Sequence, residues 1–293
     1  MAVKSPDTAK PPRQRPVVVA VDGAPHSLPA LDWAAKTARR RGAELLVVHV
    51  RPDYAPLGSL RTLPAGAPGH RDAVLAEVQS VLREREGLPP VRYASSAGVV
   101  AHTLVALGEH AQVLVLGSRR RGGLASLLLG STSLACVAEA ACPVVVVPPG
   151  LRTGTGPARD GRERVVLGLH PELTPQAAID FAFLEARGRG TALEVVSAAT
   201  SRRAAAAEEA QGHRLHAFSG GDYRDVEVEP VVVAGAPGAR LATGSSTADL
   251  VVVGRPRRRL RTGSWPFSSV ANSVVMRARC PVAVVPRGDG EAR

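Results

Sequence analysis

The sequence predicts an α/β protein with two tandem domains, each built on a doubly wound, parallel, five-stranded sheet. Three observations lead to this prediction. The chain has 293 residues, which is enough for two domains with hydrophobic cores of their own. Its apolar content of 45% is typical of a globular chain. Its two halves are similar in sequence, and in each half short apolar runs alternate with helical patterns.

The repeat can be read directly from the sequence. The segment RPVVVAVDGAPHSLPALDWAAKTARRRGAELLVVHV, which starts at Arg15, aligns without a gap on the segment that starts at Glu163. Further along, AQVLVLGS matches ADLVVVGR, and ACPVVVVP matches RCPVAVVP. A repeat of about 140 residues is much longer than a solenoid unit, so it indicates two whole domains.

Domain limits follow from this repeat. We expect a first domain over residues 15–148 and a second, degenerate domain over residues 164–287. The segment 149–163 between them is rich in Gly, Pro and charge and has no periodicity, which is typical of a linker. Residues 1–14 are expected to form a disordered tail, and residues 288–293 a short tail at the other end.

Strands of the first half are predicted from short runs rich in apolar, β-branched residues, which suit strands covered on both faces. These runs are Val17–Val21, Leu45–Val50, Val91–Ser95, Val113–Leu116 and Val144–Val147. Helices are predicted between them, from Ser27 to about Arg41, over His70–Glu86, over Val99–Glu109 and around Leu134–Ala140. Ser27 is a typical helix cap, and Gly42 is a typical stop.

Ligands of doubly wound sheets bind outside the carboxyl ends of the strands, so the loops after the first, second and fourth strands are the predicted site. The first of these loops begins with Asp22-Gly23. The Asp22 carboxylate can accept hydrogen bonds from a ribose hydroxyl or a base amino group. Asp-Gly is also a common turn pair, so a purely structural role stays open.

A glycine-rich loop, GSRRRGGLASLLLGSTS, follows the fourth strand over Gly117–Ser133. Glycines let backbone N–H groups approach phosphate oxygens, and the helix that opens at Gly130-Ser131 favours an anion at its N-terminus. Hydroxyl groups and three arginines in the loop add donors and positive charge. The alternative is a solvated loop in which Ser131 caps the helix.

The order of elements, the VDG after the first strand, the VLGSRRRGG and LLLGSTS blocks and the CPVVVV ending resemble the universal stress protein family. The resemblance extends over nearly the whole chain, twice. It implies a tandem member with the five-stranded, adenine-nucleotide α-hydrolase-like fold and a regulatory role in stress responses. It also implies little or no catalysis. Many members bind ATP through G-x2-G-x9-G-[S/T] and dimerise through their last strand.

Site residues are assigned from this resemblance position by position. It implies that Asp22 contacts the nucleoside and that the backbone at Val50 meets the adenine. The residues that match the phosphate-binding positions are Gly117, Gly130, Ser131 and Ser133. The expected ligand is ATP, with or without Mg²⁺. Arg120 stands where the motif has its second glycine, and an Arg there resists positive φ but can offer a guanidinium to phosphates.

The second half departs further from the nucleotide-binding pattern. His170-Pro171 replaces Asp22-Gly23, which removes the acceptor carboxylate. Arg257 stands at the second glycine of the motif, and Ser268-Ser269 replaces Gly130-Ser131. We therefore expect nucleotide in the first domain only.

Composition and charge narrow the remaining function classes. The 37 basic and 26 acidic residues give a net charge of +11, but all of the basic residues except three lysines are Arg. Such a bias toward Arg can come from codon usage, so the charge alone does not indicate nucleic-acid binding. Aromatic residues, on which single-stranded bases stack, are only 3% of the chain. Nucleic-acid binding through Arg255–Arg261 is therefore a minor alternative, and a solvated loop is the main interpretation of this run. The chain has no P-loop, HxGH or G-x-S-x-G motif, so no enzyme activity is expected.

Cysteine and histidine positions indicate neither a disulfide framework nor a metal site. The three cysteines form no CxxC pair, and the eight histidines show no ligand spacing. His49 is expected to be packed or hydrogen-bonded. We expect a cytoplasmic protein, because no signal peptide is evident and the charge-poor stretch Leu124–Val147 reads as a helix and a strand rather than a membrane span.

Three matters stay open from sequence. A stress scaffold that binds no nucleotide is the main alternative to ATP binding. The last strands of the two repeats can pair with each other in one chain, as a pseudo-dimer, or between two chains in a homodimer. A protein partner is expected for a regulatory protein, and its identity is unknown.

Overall fold

The computed structural model of the chain describes residues 14–25, 27–52, 72–118, 130–149, 164–170, 173–199, 223–255 and 269–288. The strands in these ranges are β1 (Val17–Val21), β2 (Leu45–Pro52), β3 (Val91–Gly98), β4 (Val113–Gly117), β5 (Val144–Val147), β6 (Val165–Gly168), β7 (Leu193–Ala199), β8 (Val228–Ala234), β9 (Leu250–Gly254) and β10 (Val282–Val285). The helices are α1 (Ser27–Arg40), α2 (Ala73–Arg83), α3 (Val100–Gly108), α4 (Ser131–Glu139), α5 (Gln176–Arg189), α6 (Pro237–Gly244) and α7 (Ser269–Arg277).

All ten strands belong to one sheet, in the order β3-β2-β1-β4-β5-β10-β9-β6-β7-β8. Each half contributes five neighbouring strands, and the pairs within each half are parallel. The two halves meet where β5 and β10 run antiparallel, with Ala283 opposite Val145. The predicted α/β fold is therefore confirmed. Of the two pairings left open by the sequence, the structure shows the one within the chain.

Strand side chains alternate between the two faces of this sheet. On β1, Val17 and Val19 are fully buried in the core cluster that includes α1, while Val18 belongs to the cluster that includes α4. Both clusters run across the β5–β10 seam, since Val145 and Ala283 lie in the first, and Val146 and Val282 in the second. The valine-rich runs thus form strands because both of their faces are covered.

Element limits differ from prediction by a few residues. Strands β2 and β3 run past the predicted ends because their parallel pairing continues to Pro52 opposite Gly98. Helix α2 begins at Ala73 because Asp72 caps it, accepting a hydrogen bond from the backbone N–H of Leu75 at 3.2 Å. His70, where the helix was predicted to start, lies outside the described residues, as do most of the predicted linker and both tails.

Helices α1 and α5 occupy equivalent positions in the two repeats and meet across the seam. Glu185, which is only 3% exposed, accepts hydrogen bonds from Arg41 and Arg189, each at 2.8 Å. The guanidinium of Arg41 lies 5.0 Å from the ring centre of Phe181, and that of Arg189 lies 5.9 Å from the ring centre of Trp33. Burial alone would raise the pKa of Glu185, but Arg189 and Arg41 hold it below its ordinary value.

In the part of the chain that the structure describes, we find no helix with the length and hydropathy needed to cross a bilayer.

Candidate functional site

A cavity of about 470 Å³ opens at the carboxyl ends of β1, β2 and β4. The switch point of a doubly wound sheet lies at this edge, where β1 has β2 on one side and β4 on the other. All six residues selected from the sequence line this single cavity: Asp22, Val50, Gly117, Gly130, Ser131 and Ser133. Their roles toward a ligand remain a prediction, but the fold brings them together.

Asp22 stands at the rim of the cavity, in a tight turn after β1. Its carboxylate accepts a hydrogen bond from the hydroxyl of Ser27 at 2.7 Å and from the N–H of Ala24 at 3.2 Å. The turn passes through Gly23 at a φ of +76°, a conformation that favours glycine. Asp22 therefore both closes the turn and lines the cavity. The hydrogen bonds that close the turn also fix the position of its carboxylate.

Ser27 does not act as the helix cap that its position suggested. It is the first residue of α1, and its hydroxyl donates to Asp22 and accepts from the N–H of Asp22 at 3.3 Å. Ser27 also lines the cavity, which sequence reasoning did not anticipate. The five-residue separation from an acid at a strand end is the signal that could have identified it.

The N-terminus of α4 forms another side of the cavity through Gly130, Ser131, Thr132 and Ser133. Gly130 is the N-cap residue, and because it is a glycine it offers no side chain to cap the helix. Ser131 is exposed and is the first residue of the helix, so it is not the cap that the alternative interpretation of this loop assumed. The first turn holds no acidic residue, so its N–H groups and hydroxyls present a positive end.

Apolar side chains form the rest of the wall. Val50, Leu104 and Leu116 are at most 6% exposed, and Ala20 and Val100 complete this surface. The cavity therefore joins an apolar wall to a carboxylate at its rim and a helix N-terminus. Such a surface suits a ligand with a flat apolar part, hydroxyl groups and an anionic end.

A polar cluster of His49, Asp72 and Ser95 lies beside the cavity. The Nδ1 atom of His49 is 2.7 Å from one oxygen of Asp72, and the hydroxyl of Ser95 donates to the same oxygen at 2.6 Å. Burial alone would raise the pKa of Asp72, but hydrogen bonds from Ser95, His49 and the N–H of Leu75 hold it below its ordinary value. His49 is hydrogen-bonded as expected, and it also lines the cavity.

No group of three or more His, Cys, Asp or Glu side chains in the described ranges is placed to hold a metal ion. Cys136, Cys142 and Cys280 are buried and unpaired.

The sequence model of the Universal stress protein family matches the chain twice, over residues 14–148 and 161–286. The chain belongs to the universal stress protein family.

Universal stress proteins of the same tandem length are similar to it along almost their whole length. Universal stress protein Rv2005c of Mycobacterium tuberculosis is 33% identical over 294 residues, which cover 94% of this chain and 98% of the relative. Universal stress protein Rv1996 of the same species is 31% identical over 302 residues, covering 92% and 94%. Among solved structures, a universal stress protein from Archaeoglobus fulgidus matches with a TM-score of 0.68 at 17% identity, covering 94% of this chain and 99% of the other.

The second domain of this universal stress protein is built differently at the equivalent edge. The N–H of His170, the counterpart of Asp22, donates to the hydroxyl of Thr174 at 2.8 Å. Pro175, the counterpart of Ser27, packs so closely on Gly254 that a Cβ there would lie 2.2 Å from the proline Cδ. A Cβ on Gly168 would lie 2.7 Å from Leu241. The second domain thus keeps a hydroxyl on this N–H, from Thr174, but it has no carboxylate at His170 and has a proline ring at the position of Ser27.

Several positions of the motif lie outside the described residues. In the first domain this applies to Arg120, which stands at the second motif glycine. In the second domain it applies to Pro171, Arg257 and Ser268.

Proposed function

We propose that this universal stress protein binds ATP in its first domain and acts as a cytoplasmic stress-response regulator without catalysis of its own. The observation that supports this most strongly is the cavity at the ends of β1, β2 and β4, because it gathers every residue selected beforehand for nucleotide binding. Membership of the family supports the regulatory role.

The nucleoside would lie between the apolar wall and the rim. Val50 and Leu116 offer buried apolar surface for a flat purine. Strand β2 continues past its last pairing with β1, at His49, so its backbone at Val50 would bond the edge of the purine. The Asp22 carboxylate would accept hydrogen bonds from ribose hydroxyls. Ser27 and Ala24 already fix that carboxylate, so little side-chain freedom is lost on binding.

The phosphates would lie against the N-terminus of α4. The uncapped first turn, together with the hydroxyls of Ser131 and Ser133, supplies donors where the helix dipole favours negative charge. Mg²⁺ would accompany the nucleotide through its phosphates, since the described part of the cavity offers the carboxylate of Asp22 as its single acidic group.

The second domain would carry no standard nucleotide site. His170 lacks the carboxylate, and Pro175 against Gly254 leaves no hydroxyl at the position of Ser27. The expected stoichiometry is therefore one ATP per chain.

Calorimetric titration of the nucleotide-stripped full chain with Mg-ATP tests this proposal. We expect one site per chain, and we expect Asp22→Ala and Ser131→Ala to weaken binding about tenfold each, the effect of losing roughly 1.4 kcal/mol of hydrogen bonding to the ligand. Ser269→Ala, at the equivalent position of the second domain, is the matched control and should leave the affinity unchanged. Thermal denaturation of each variant checks that the fold is kept.

Three other outcomes would each contradict a different part of this proposal. No heat of binding, with no thermal stabilisation by excess ATP, would favour the scaffold that binds no nucleotide. Two sites per chain would contradict the reading of the second domain. Binding of nucleic acid with a steep salt dependence, insensitive to Asp22→Ala, would favour the arginine run over Arg255–Arg261.

Regulation by ATP requires a partner that distinguishes two states. We propose that bound ATP changes the affinity of the surface around the N-terminus of α4 for a protein partner. The magnitude of such a response is limited by the difference in partner affinity between the ATP-bound and ATP-free states.

A further inference from the structure

Arg255 is the first residue of the arginine run that the sequence assigned to a solvated loop. It directly follows β9, and its backbone N–H donates to the carbonyl of Val285 on β10 at 2.7 Å. The residue is thus fixed to the second domain by its main chain. The rest of the run lies outside the described residues.

The side chain of Arg255 crosses the seam between the domains. Its Nη1 donates to the carbonyl of Ala140 at 2.8 Å and to that of Val137 at 3.2 Å. Both carbonyls lie at the C-terminal end of α4, in the first domain. Helix ends leave their last carbonyls without helical partners, and a cation there is favoured by the helix dipole, so this contact holds the end of α4 in two ways.

Helix α4 links this contact to the cavity. The helix spans nine residues, a length of about 13 Å. Its N-terminus lines the cavity with Gly130, Ser131 and Ser133, and its C-terminus receives Arg255. Because the helix has fewer than three turns, we expect a shift of its C-terminus to move the groups at its N-terminus.

The counterpart of Arg255 in the first domain makes no equivalent contact within the described residues. Ser118 occupies the equivalent position of the first domain, directly after β4. Its hydroxyl is buried and makes no hydrogen bond within the described part of the chain. Within the described residues, Ser118 therefore does not anchor α7, the helix equivalent to α4, as Arg255 anchors α4. The anchored helix is the one whose N-terminus lines the cavity of the first domain.

We propose that Arg255 of the second domain is a positioning residue for the phosphate-binding end of the cavity in the first domain. The inference rests on the proposed function, because it assigns to the second domain a part in the first domain's nucleotide site. Anchoring α4 before the ligand arrives lowers the cost of ordering its N-terminus on binding. Arg255 should therefore strengthen contacts to phosphate and leave contacts to the nucleoside unchanged.

The test compares ATP with adenosine in titrations of the full chain. Arg255→Ala should weaken ATP binding about tenfold, or roughly 1.4 kcal/mol, and leave adenosine affinity unchanged. Arg255→Lys, whose amine keeps the charge but lacks the fork of donors, should give an intermediate loss. Arg164→Ala is the matched control, because it breaks a half-buried ion pair with Glu194 in the second domain without touching α4.

Hydrogen exchange of the ligand-free protein tests the anchoring separately from the nucleotide. Arg255→Ala should speed amide exchange in residues 131–140, and Arg164→Ala should not. Equal losses of ATP and adenosine affinity, an unchanged ATP affinity, or unchanged exchange in α4 would each overturn the inference. A wild-type chain that binds no ATP while Arg255 still protects α4 would instead overturn the proposed function and leave the anchor as a structural contact.

Discussion

Replacement of Glu185 by Gln should destabilise the contact between the two domains by about 3 kcal/mol. Glu185 is 3% exposed and is the acid that Arg41 and Arg189 share, so its neutralisation leaves two guanidinium groups without a negative partner. Breaking a buried pair by removing one charge costs roughly 3–5 kcal/mol. The lower end applies because Arg41 is 18% exposed and can be partly hydrated, while Arg189 is only 6% exposed.

Urea and thermal denaturation measure this effect. In a protein of this size, about 3 kcal/mol corresponds to a fall in Tm of about 6 °C. The control is Glu44→Gln, which removes a surface pair with Arg92 in which the side chains are 30% and 45% exposed, and which should cost less than about 1 kcal/mol.

The effect of Glu185→Gln should also depend on pH. The folded pKa of Glu185 is lowered, so its contribution is fully present above its unfolded value of 4.5 and is lost as the pH falls through the folded value. Wild type and variant should therefore differ at pH 7 and converge at pH values well below 4.5. A loss no larger than that of Glu44→Gln, or a difference that persists unchanged in acid, would refute this account of the seam.

Two further predictions concern packing and thiols. Gly254→Ala should cost about 1–3 kcal/mol in urea denaturation, because the new Cβ would lie 2.2 Å from the stiff ring of Pro175. Gly288→Ala, where a Cβ meets nothing within 4 Å, should leave the stability unchanged. Burial raises the pKa of all three thiols, so iodoacetamide at pH 8 should label them only after unfolding, as read by mass spectrometry; any of them labelled in the native protein would contradict this. Their pKa values are about 12, 11 and 12 for Cys136, Cys142 and Cys280.

The strands could be predicted from the sequence because burial on both faces requires continuous apolar runs. Val17–Val21 is recognisable for this reason, and so is its counterpart at Val165. The ends of β2 and β3 were not, because their pairing extends to Pro52 and Gly98 through backbone hydrogen bonds that place little demand on side chains.

The candidate site was predictable where its residues stand at strand ends. The rule that ligands bind at the carboxyl edge of a parallel sheet pointed to the loops where Asp22, Val50 and Gly117 lie, and the resemblance to the family selected these residues within them. Asp72 and Arg255 were not predictable in this way. Asp72 reaches His49 from the cap of α2, and Arg255 reaches α4 from the other domain. Contacts of this kind depend on how distant segments pack, and the local hydrophobic pattern of the sequence does not indicate them.

The seam between β5 and β10 has a consequence for how such a protein can change over time. In an assembly of two identical chains, every substitution at the interface changes both subunits at once. Here each helix at the seam faces a different sequence, so an acid could arise at Glu185 while its counterpart remained Thr37. The pairing is also intramolecular, so dilution does not separate the halves. Because the two halves share one chain, one half can carry substitutions that the other does not, while the pairing of β5 with β10 holds them together.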